Sequence, residues 1–219
     1  MNVKRMMVLI LLACLALTAV ILSCTQPAPP EAPPGPHENV SIPQDGAGDI
    51  YDLSYLKHDD PARVDNSNLP VTPVERLSLT GKPPKEVDLS KYRLTVSGMV
   101  KNTLDLTYDE MLSFPALTKV VLLICHESHV DNARWTGVPV SYLLDKAGVP
   151  PDASEVTFIA MDRYSRTLPM EVVRKEGTFV AYEVNGVPIP LKHGYPYRLV
   201  VKGLYGENWV KWLRQIEVK

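Results

Sequence analysis

Cysteine is scarce in this chain of 219 residues. There are three, Cys14, Cys24 and Cys125, and only Cys125 lies in the part of the sequence able to fold. An intrachain disulfide is therefore excluded. No Cys-x-x-Cys-His haem-attachment motif is present either. Excess positive charge is also missing. Lys and Arg number 23 against 25 Asp and Glu, for a net charge of -2, and no Lys/Arg stripe runs beside aromatic residues. That balance argues against nucleic acid as a partner. No internal repeat is visible.

What is present first is an export signal over residues 1–24. Lys4 and Arg5 give a positive start, and Val8 to Leu22 is almost unbroken apolar sequence. At about 15 residues that run is at the short edge for crossing a bilayer. Ile21-Leu22-Ser23-Cys24 has the form of a bacterial lipobox, which predicts lipidation at Cys24. The expected product is a lipoprotein on the periplasmic or cell-surface side, membrane-anchored through its N-terminus, with an uncleaved apolar anchor as the alternative. Residues 25–60 read as a Pro-rich linker and polar arm. The stretch TQPAPPEAPPGP cannot pack a core and forms an extended spacer. The arm that follows is acidic and does not found the core.

Residues 61–219 carry the globular pattern. Tyr92 to Val100 alternates and is β-branched, as a strand should be. Thr107-Tyr108-Asp109-Glu110 fits a capping box opening a short helix that Pro115 ends. Lys119 to Cys125 is a continuous apolar run, expected as a strand buried on both faces. Pro139 to Ala147 reads as a helix with Gly148 past its end, and Pro169 to Lys175 as a short one. Glu155 to Met161, Phe179 to Val184, Tyr197 to Lys202 and Trp209 to Lys219 read as strands, with Asn185-Gly186 as a hairpin turn. Strands outnumber short, interspersed helices, so the fold class is α+β, a strand-dominated mixed domain.

Cys125 closes the apolar strand and meets the polar residues His126, Glu127, Ser128 and His129 at once. Such a thiol is inert packing, a nucleophile or a metal ligand. Three further segments combine unusual residue types. Phe158 to Asp162 ends a strand on a carboxylate. His193-Gly194-Tyr195-Pro196-Tyr197-Arg198 leads into a strand. Gly203-Leu204-Tyr205-Gly206 precedes Trp209-Val210-Lys211-Trp212. Arg198 offers a planar fork for phosphate and Lys211 a point charge, and the two glycines let backbone N–H groups approach an anion. A thiolate suits a thiophilic metal. A phosphate-bearing, sulfur-ligated metal cofactor would use all of them.

These segments, taken in order, resemble the molybdopterin-binding domain of the sulfite oxidase family. That group includes the catalytic subunit of bacterial periplasmic methionine-sulfoxide reductase. The matching motifs are a strand ending in Cys125, then Ala133 to Pro139 (ARWTGVP), then Phe158 to Asp162. An Asn185 to Arg198 block with His193-Gly194-Tyr195-Pro196 follows, then Gly203 to Val218 with Val210-Lys211-Trp212-Leu213. The resemblance implies molybdenum held by molybdopterin and by the Cys125 thiolate, with Cys125 also catalytic. It implies cofactor binding by Asp162, His193, Arg198, Trp209, Val210 and Lys211, and by Asn66 and Asn68 in an upstream segment. His126, His129 and Arg134 are candidates for the substrate pocket. The implied reaction is two-electron oxygen-atom transfer with a small-molecule oxo donor or acceptor. Without a haem motif, electrons pass to a separate redox partner, a cytochrome or a membrane haem subunit. The resemblance places sulfite-binding arginines just after the metal-binding cysteine and in the upstream segment; here arginine is absent between Cys125 and Arg134 and from Asn66-Ser67-Asn68, so a sulfite-binding pocket is not expected. A relative that keeps the fold as a binding or structural module, without cofactor, is the alternative reading.

Overall fold

Two sheets divide the strands in the computed structural model, which describes residues 49–126 and 128–219. The expected export signal, lipobox Cys24 and Pro-rich spacer lie outside the described residues. In the first sheet β1 (Leu94–Gly98) runs between β2 (Leu104–Leu106) and β10 (Leu213–Val218). β10 then pairs β5 (Glu155–Ala160), which pairs β6 (Ser165–Pro169). Only the β1–β10 pair of this sheet is parallel. The second sheet is antiparallel. It orders β3 (Leu117–Cys125), β4 (His129–Pro139) and β7 (Thr178–Val184). β8 (Val187–Pro188) and β9 (Arg198–Val201) share the other edge of β7. The strand-dominated α+β architecture is the one the sequence pattern predicts.

The helices are short and end where their sequences say. In α1 (Tyr108–Ser113) the capping box is closed. Glu110 N donates to Thr107 Oγ1 at 3.2 Å, and Thr107 N donates to Glu110 Oε2 at 2.8 Å. α2 (Val140–Ala147) buries Val140, Leu143, Leu144 and Ala147, the i, i+3, i+4, i+7 face, and stops at Gly148 in the left-handed conformation. α3 spans only Met170–Val173. The Asn185-Gly186 turn has positive φ at both residues, 51° and 82°, which matches the twist of the flanking strands.

β3 is an edge strand, yet Val121 to Ile124 are buried on both faces. Val121 and Leu123 face the main core, while Leu122 and Ile124 join a second cluster with Leu53, Leu56 and Val130. The N-terminal arm thus lies on the domain, with Leu53 only 2% exposed, and roofs the outer face of β3. The predicted two-sided burial holds there and fails at Val120, which is exposed.

β4, which no periodicity in the sequence marks, runs for 11 residues. Its polar residues are buried with partners, which hides the alternation. Asp131 accepts hydrogen bonds from Ser78 N and Ser78 Oγ. Asn132 Nδ2 donates to Leu69 O and Pro70 O at 3.1 and 3.3 Å. Buried polar groups satisfied in this way cost little.

Candidate cofactor site

The β3–β4 hairpin sets the site's first wall. In its register Cys125 lies opposite His129, and Leu123 opposite Asp131. Alternation along the strands then puts Leu123, Cys125, His129 and Trp135 on one face. Val130, Asn132 and Arg134 take the other. The second wall is the connection between β9 and β10, which leaves one sheet and enters the other. It carries Gly206, Glu207, Trp209, Lys211 and Trp212. The connection is pinned at its C-terminal end: Leu199 N donates to Val210 O at 2.8 Å, and Met161 N to Trp212 O at 2.9 Å. Its middle is pinned as well, because Tyr164 Oη and Arg166 Nε both donate to Glu207 O, at 2.6 and 2.8 Å. Trp212 and Arg163, both beside the site, have positive φ without being glycine. Such strain persists where surrounding structure enforces it.

Between these walls is a cleft of about 250 Å³, lined by Cys125, His129, Asp162, Arg198, Trp209 and Lys211 together with Thr80, Gly81, Leu123, Tyr164, Gly206, Glu207 and Trp212. Arg198 is 5% exposed and lies over two indoles, its guanidinium carbon 5.1 Å from the Trp135 ring and 5.5 Å from the Trp209 ring. Its Nη1 donates to His193 O at 3.3 Å, while its Nε has no partner. Lys211 Nζ donates to Thr80 O at 2.6 Å and lies 3.0 Å from Thr80 Oγ1. His193 is 1% exposed, and neither of its ring nitrogens has a partner.

Burial and crowded positive charge shape the electrostatics. Desolvation, then Arg198, Lys192 and Lys211, pull the His193 imidazole down to about 4. Lys211 falls to about 8 through its burial and through Arg198. Burial raises the Cys125 thiol, Glu207 adds to the rise, and Lys211, a Ser128 hydrogen bond and Arg198 oppose it. Burial lowers His129, while Asp131 pulls it back and Arg198 and Lys211 push it down. A site that holds one buried and one half-buried cation, beside unpartnered nitrogens, is prepared for an anion that is not protein.

The structure therefore brings Cys125, Asp162, Arg198, Trp209 and Lys211 together, with His129 across from Cys125. Val210 contributes its backbone carbonyl to the frame. It does not bring in Asn66, Asn68, Arg134 or His126. Asn66 Nδ2 donates to Asn132 Oδ1 at 2.9 Å, on the opposite face of the hairpin, and Asn68 is exposed. Arg134 is exposed on that same opposite face, one residue out of phase with Trp135. His126 packs its ring against Tyr205 and His58 at the hairpin tip. The upstream segment that does enter the cleft is Thr80-Gly81, which no sequence motif marks. Tyr164 and Trp135 were also unforeseen, the first in a polar turn and the second inside the ARWTGVP motif without an assigned role.

Fold and cleft together define a two-sheet domain that binds an anionic cofactor beside a cysteine. A family profile for the oxidoreductase molybdopterin binding domain matches residues 80–219, and the chain belongs to that family. It is 33% identical over 140 residues to the uncharacterized oxidoreductase YuiH of Bacillus subtilis, covering 63% of this chain and 70% of that one. It is 29% identical over 134 residues to a putative protein-methionine-sulfoxide reductase subunit, YedZ1, of Azospira oryzae, covering 61% and 51%. It is 29% identical over 167 residues to the mitochondrial sulfite oxidase of Macaca fascicularis, covering 63% and 31%. The match thus spans about half of the Azospira protein and under a third of the sulfite oxidase. Among solved structures, the sulfane dehydrogenase SoxCD of Paracoccus pantotrophus superposes with a TM-score of 0.58 at 27% identity, over 90% of this chain and 58% of that one. The chain is accordingly a sulfite oxidase-like oxidoreductase that depends on a molybdenum–molybdopterin cofactor.

The residues present fit that group. Arg198 Nε and both His193 ring nitrogens are buried donors or acceptors waiting for a partner. At Gly206 an added Cβ would sit 3.1 Å from Leu123 Cδ1 and 3.4 Å from Cys125. The glycine thus keeps open the backbone approach to the thiol.

Proposed function

We propose that Cys125 ligates the molybdenum and that the chain catalyses two-electron oxygen-atom transfer to or from an uncharged oxo acceptor or donor. One observation carries the reading: the only free thiol among the described residues lines the same cleft as two cations, the buried Arg198 and the half-buried Lys211. The bound cofactor supplies the oxygen-atom and electron chemistry. Arg198 and Lys211 hold its phosphate, with His193 and the Trp209–Lys211 backbone around it, and Asp162 stands at the cleft wall. His129, half-buried with Ser128 Oγ 3.0 Å from its Nδ1 and its basicity lowered by burial, is placed to take up or give a proton.

The charge pattern selects the substrate class. Arg198 and Lys211 are the cations that act on the Cys125 thiol, and Glu207 acts against them. Once both cations are engaged by the cofactor, Glu207 and Asp162 leave no positive site for sulfite. An S-oxide or N-oxide meets no such repulsion.

Lys4-Arg5, the apolar run and the Cys24 lipobox support export and tethering to a membrane, on the periplasmic or cell-surface side. Electrons then exchange with a separate cytochrome or haem subunit. The test is Cys125→Ser protein made in a molybdopterin-competent host. Turnover should vanish and bound molybdenum should fall, while circular dichroism stays unchanged. Full molybdenum with retained turnover would overturn the assignment. Assay of the loaded wild type against sulfite and a panel of S-oxides and N-oxides tests the substrate class, which turnover of sulfite alone would refute.

A further inference from the structure

Among the described residues, four buried side-chain nitrogens lack any hydrogen-bond partner, and all four belong to one knot of residues. They are Trp135 Nε1, the two ring nitrogens of His193, and Arg198 Nε. Arg198 ties the knot: its guanidinium stacks on Trp135 and its Nη1 donates to His193 O. Native proteins leave few buried polar groups unpaired, and each unpaired group costs stability. Three such residues joined through Arg198 are therefore not three separate defects.

The chain's three tryptophans make the contrast internal. Trp209 Nε1 donates to Leu204 O at 3.2 Å, and Trp212 Nε1 donates to Leu191 O at 2.7 Å. Both line the cleft, and both have their indole N–H satisfied by the protein. Trp135 is 1% exposed and its N–H is not satisfied. Its ring is already used twice, under the Arg198 guanidinium and in a T-shaped contact with Trp209 at 5.9 Å between centroids. The N–H is the part left over.

We infer that Trp135 is a cofactor-binding residue. Its indole N–H donates to a polar atom of the bound molybdopterin, while its ring holds Arg198 in place for the same ligand. This inference rests on the cofactor reading above. The two roles are separable, because Trp135→Phe keeps an aromatic face and removes only the donor. A hydrogen bond from an uncharged donor to a charged acceptor is worth roughly tenfold or more in affinity.

The experiment compares cofactor-free and cofactor-loaded protein labelled with 15N-tryptophan. Of the three indole N–H resonances, assigned through Trp→Phe variants, the Trp135 signal should move most on loading and gain protection from solvent exchange. Those of Trp209 and Trp212 should move less. In parallel, pterin release from loaded Trp135→Phe should be roughly tenfold faster than from wild type. The rise in melting temperature on loading should shrink as well. That gap between loaded and free forms cancels any packing loss from the smaller ring. An indole signal that stays put, with equal pterin release, would overturn the inference and leave the cofactor reading intact. A buried water satisfying the N–H would give the same signal in both forms and the same gap, and so counts against it. Wild-type protein without pterin would sink the cofactor reading itself.

Discussion

His193 should make the cofactor-free protein acid-sensitive in a defined window. The imidazole is buried beside Arg198, and its folded-state value is about 4 against an ordinary 6.5. Between those values the unfolded chain holds a proton on His193 that the folded chain refuses. The unfolded state therefore binds more protons, and stability falls as pH drops from 6.5 towards 4. Below about 4 both states are protonated and the loss is complete. At 1.36 kcal/mol for each pH unit, the full effect is on the order of 3 kcal/mol, a large part of a typical domain's stability. The assay is urea denaturation of the cofactor-free protein from pH 7 to pH 4, with His193→Asn in parallel. The variant carries every other titrating group, so the difference between the two curves isolates this residue. Wild type should lose about 3 kcal/mol more than the variant across the window. Loading with cofactor should shrink that excess, because phosphate close to the ring favours its charged form. Parallel curves for wild type and variant would refute the reasoning.

Two substitutions test the frame around the site. Arg198→Lys keeps the charge but loses the planar group that lies over both Trp135 and Trp209. It should cost about 1–2 kcal/mol in the cofactor-free protein by urea denaturation and lower molybdenum occupancy by elemental analysis. Unchanged occupancy would remove Arg198 from the binding set. Gly137→Ala should be among the most damaging single changes in the domain, because the new Cβ would overlap the Val180 carbonyl where β4 meets β7. A loss above about 3 kcal/mol, or failure to recover soluble protein, is expected. A urea midpoint within experimental error of wild type would show that the two strands can part there at little cost.

Gly137 also shows how a motif read as functional divides into separate jobs. In ARWTGVP, the glycine lets β4 approach β7, the tryptophan stacks on Arg198, and the arginine faces out of the second sheet. The sequence presents these as one unit. Only the register, Val120 opposite Arg134 and Lys119 opposite Trp135, reveals that adjacent residues serve opposite faces. The same parity separates the Asn132 side, where Asn66 docks, from the Cys125 side. Spacing alone could not exclude Asn66 or Arg134, because the strand that separates them from the cleft was itself hidden by Asp131 and Asn132. Elements with plain periodicity, such as α2 with its four-residue apolar face, were legible. The short, polar strands β2 and β6 were not.

Within the site, the legible residues are those whose chemistry is unusual wherever they stand: a lone thiol after an apolar strand, an arginine after a His-Gly turn, a lysine between tryptophans. Thr80-Gly81 has no such mark. Its place beside Lys211 depends on an arm that crosses from Ser78, held at Asp131, to the β9–β10 connection. That contact joins residues 131 positions apart, and no local pattern encodes it. Lys211 therefore has a protein partner before any cofactor arrives, whereas Arg198 Nε and His193 have none. Both cations thus touch a carbonyl, Lys211 at Thr80 and Arg198 at His193, but only Arg198 keeps an unpartnered buried nitrogen. A phosphate entering the cleft gains most at Arg198 Nε, where nothing in the protein has to be displaced.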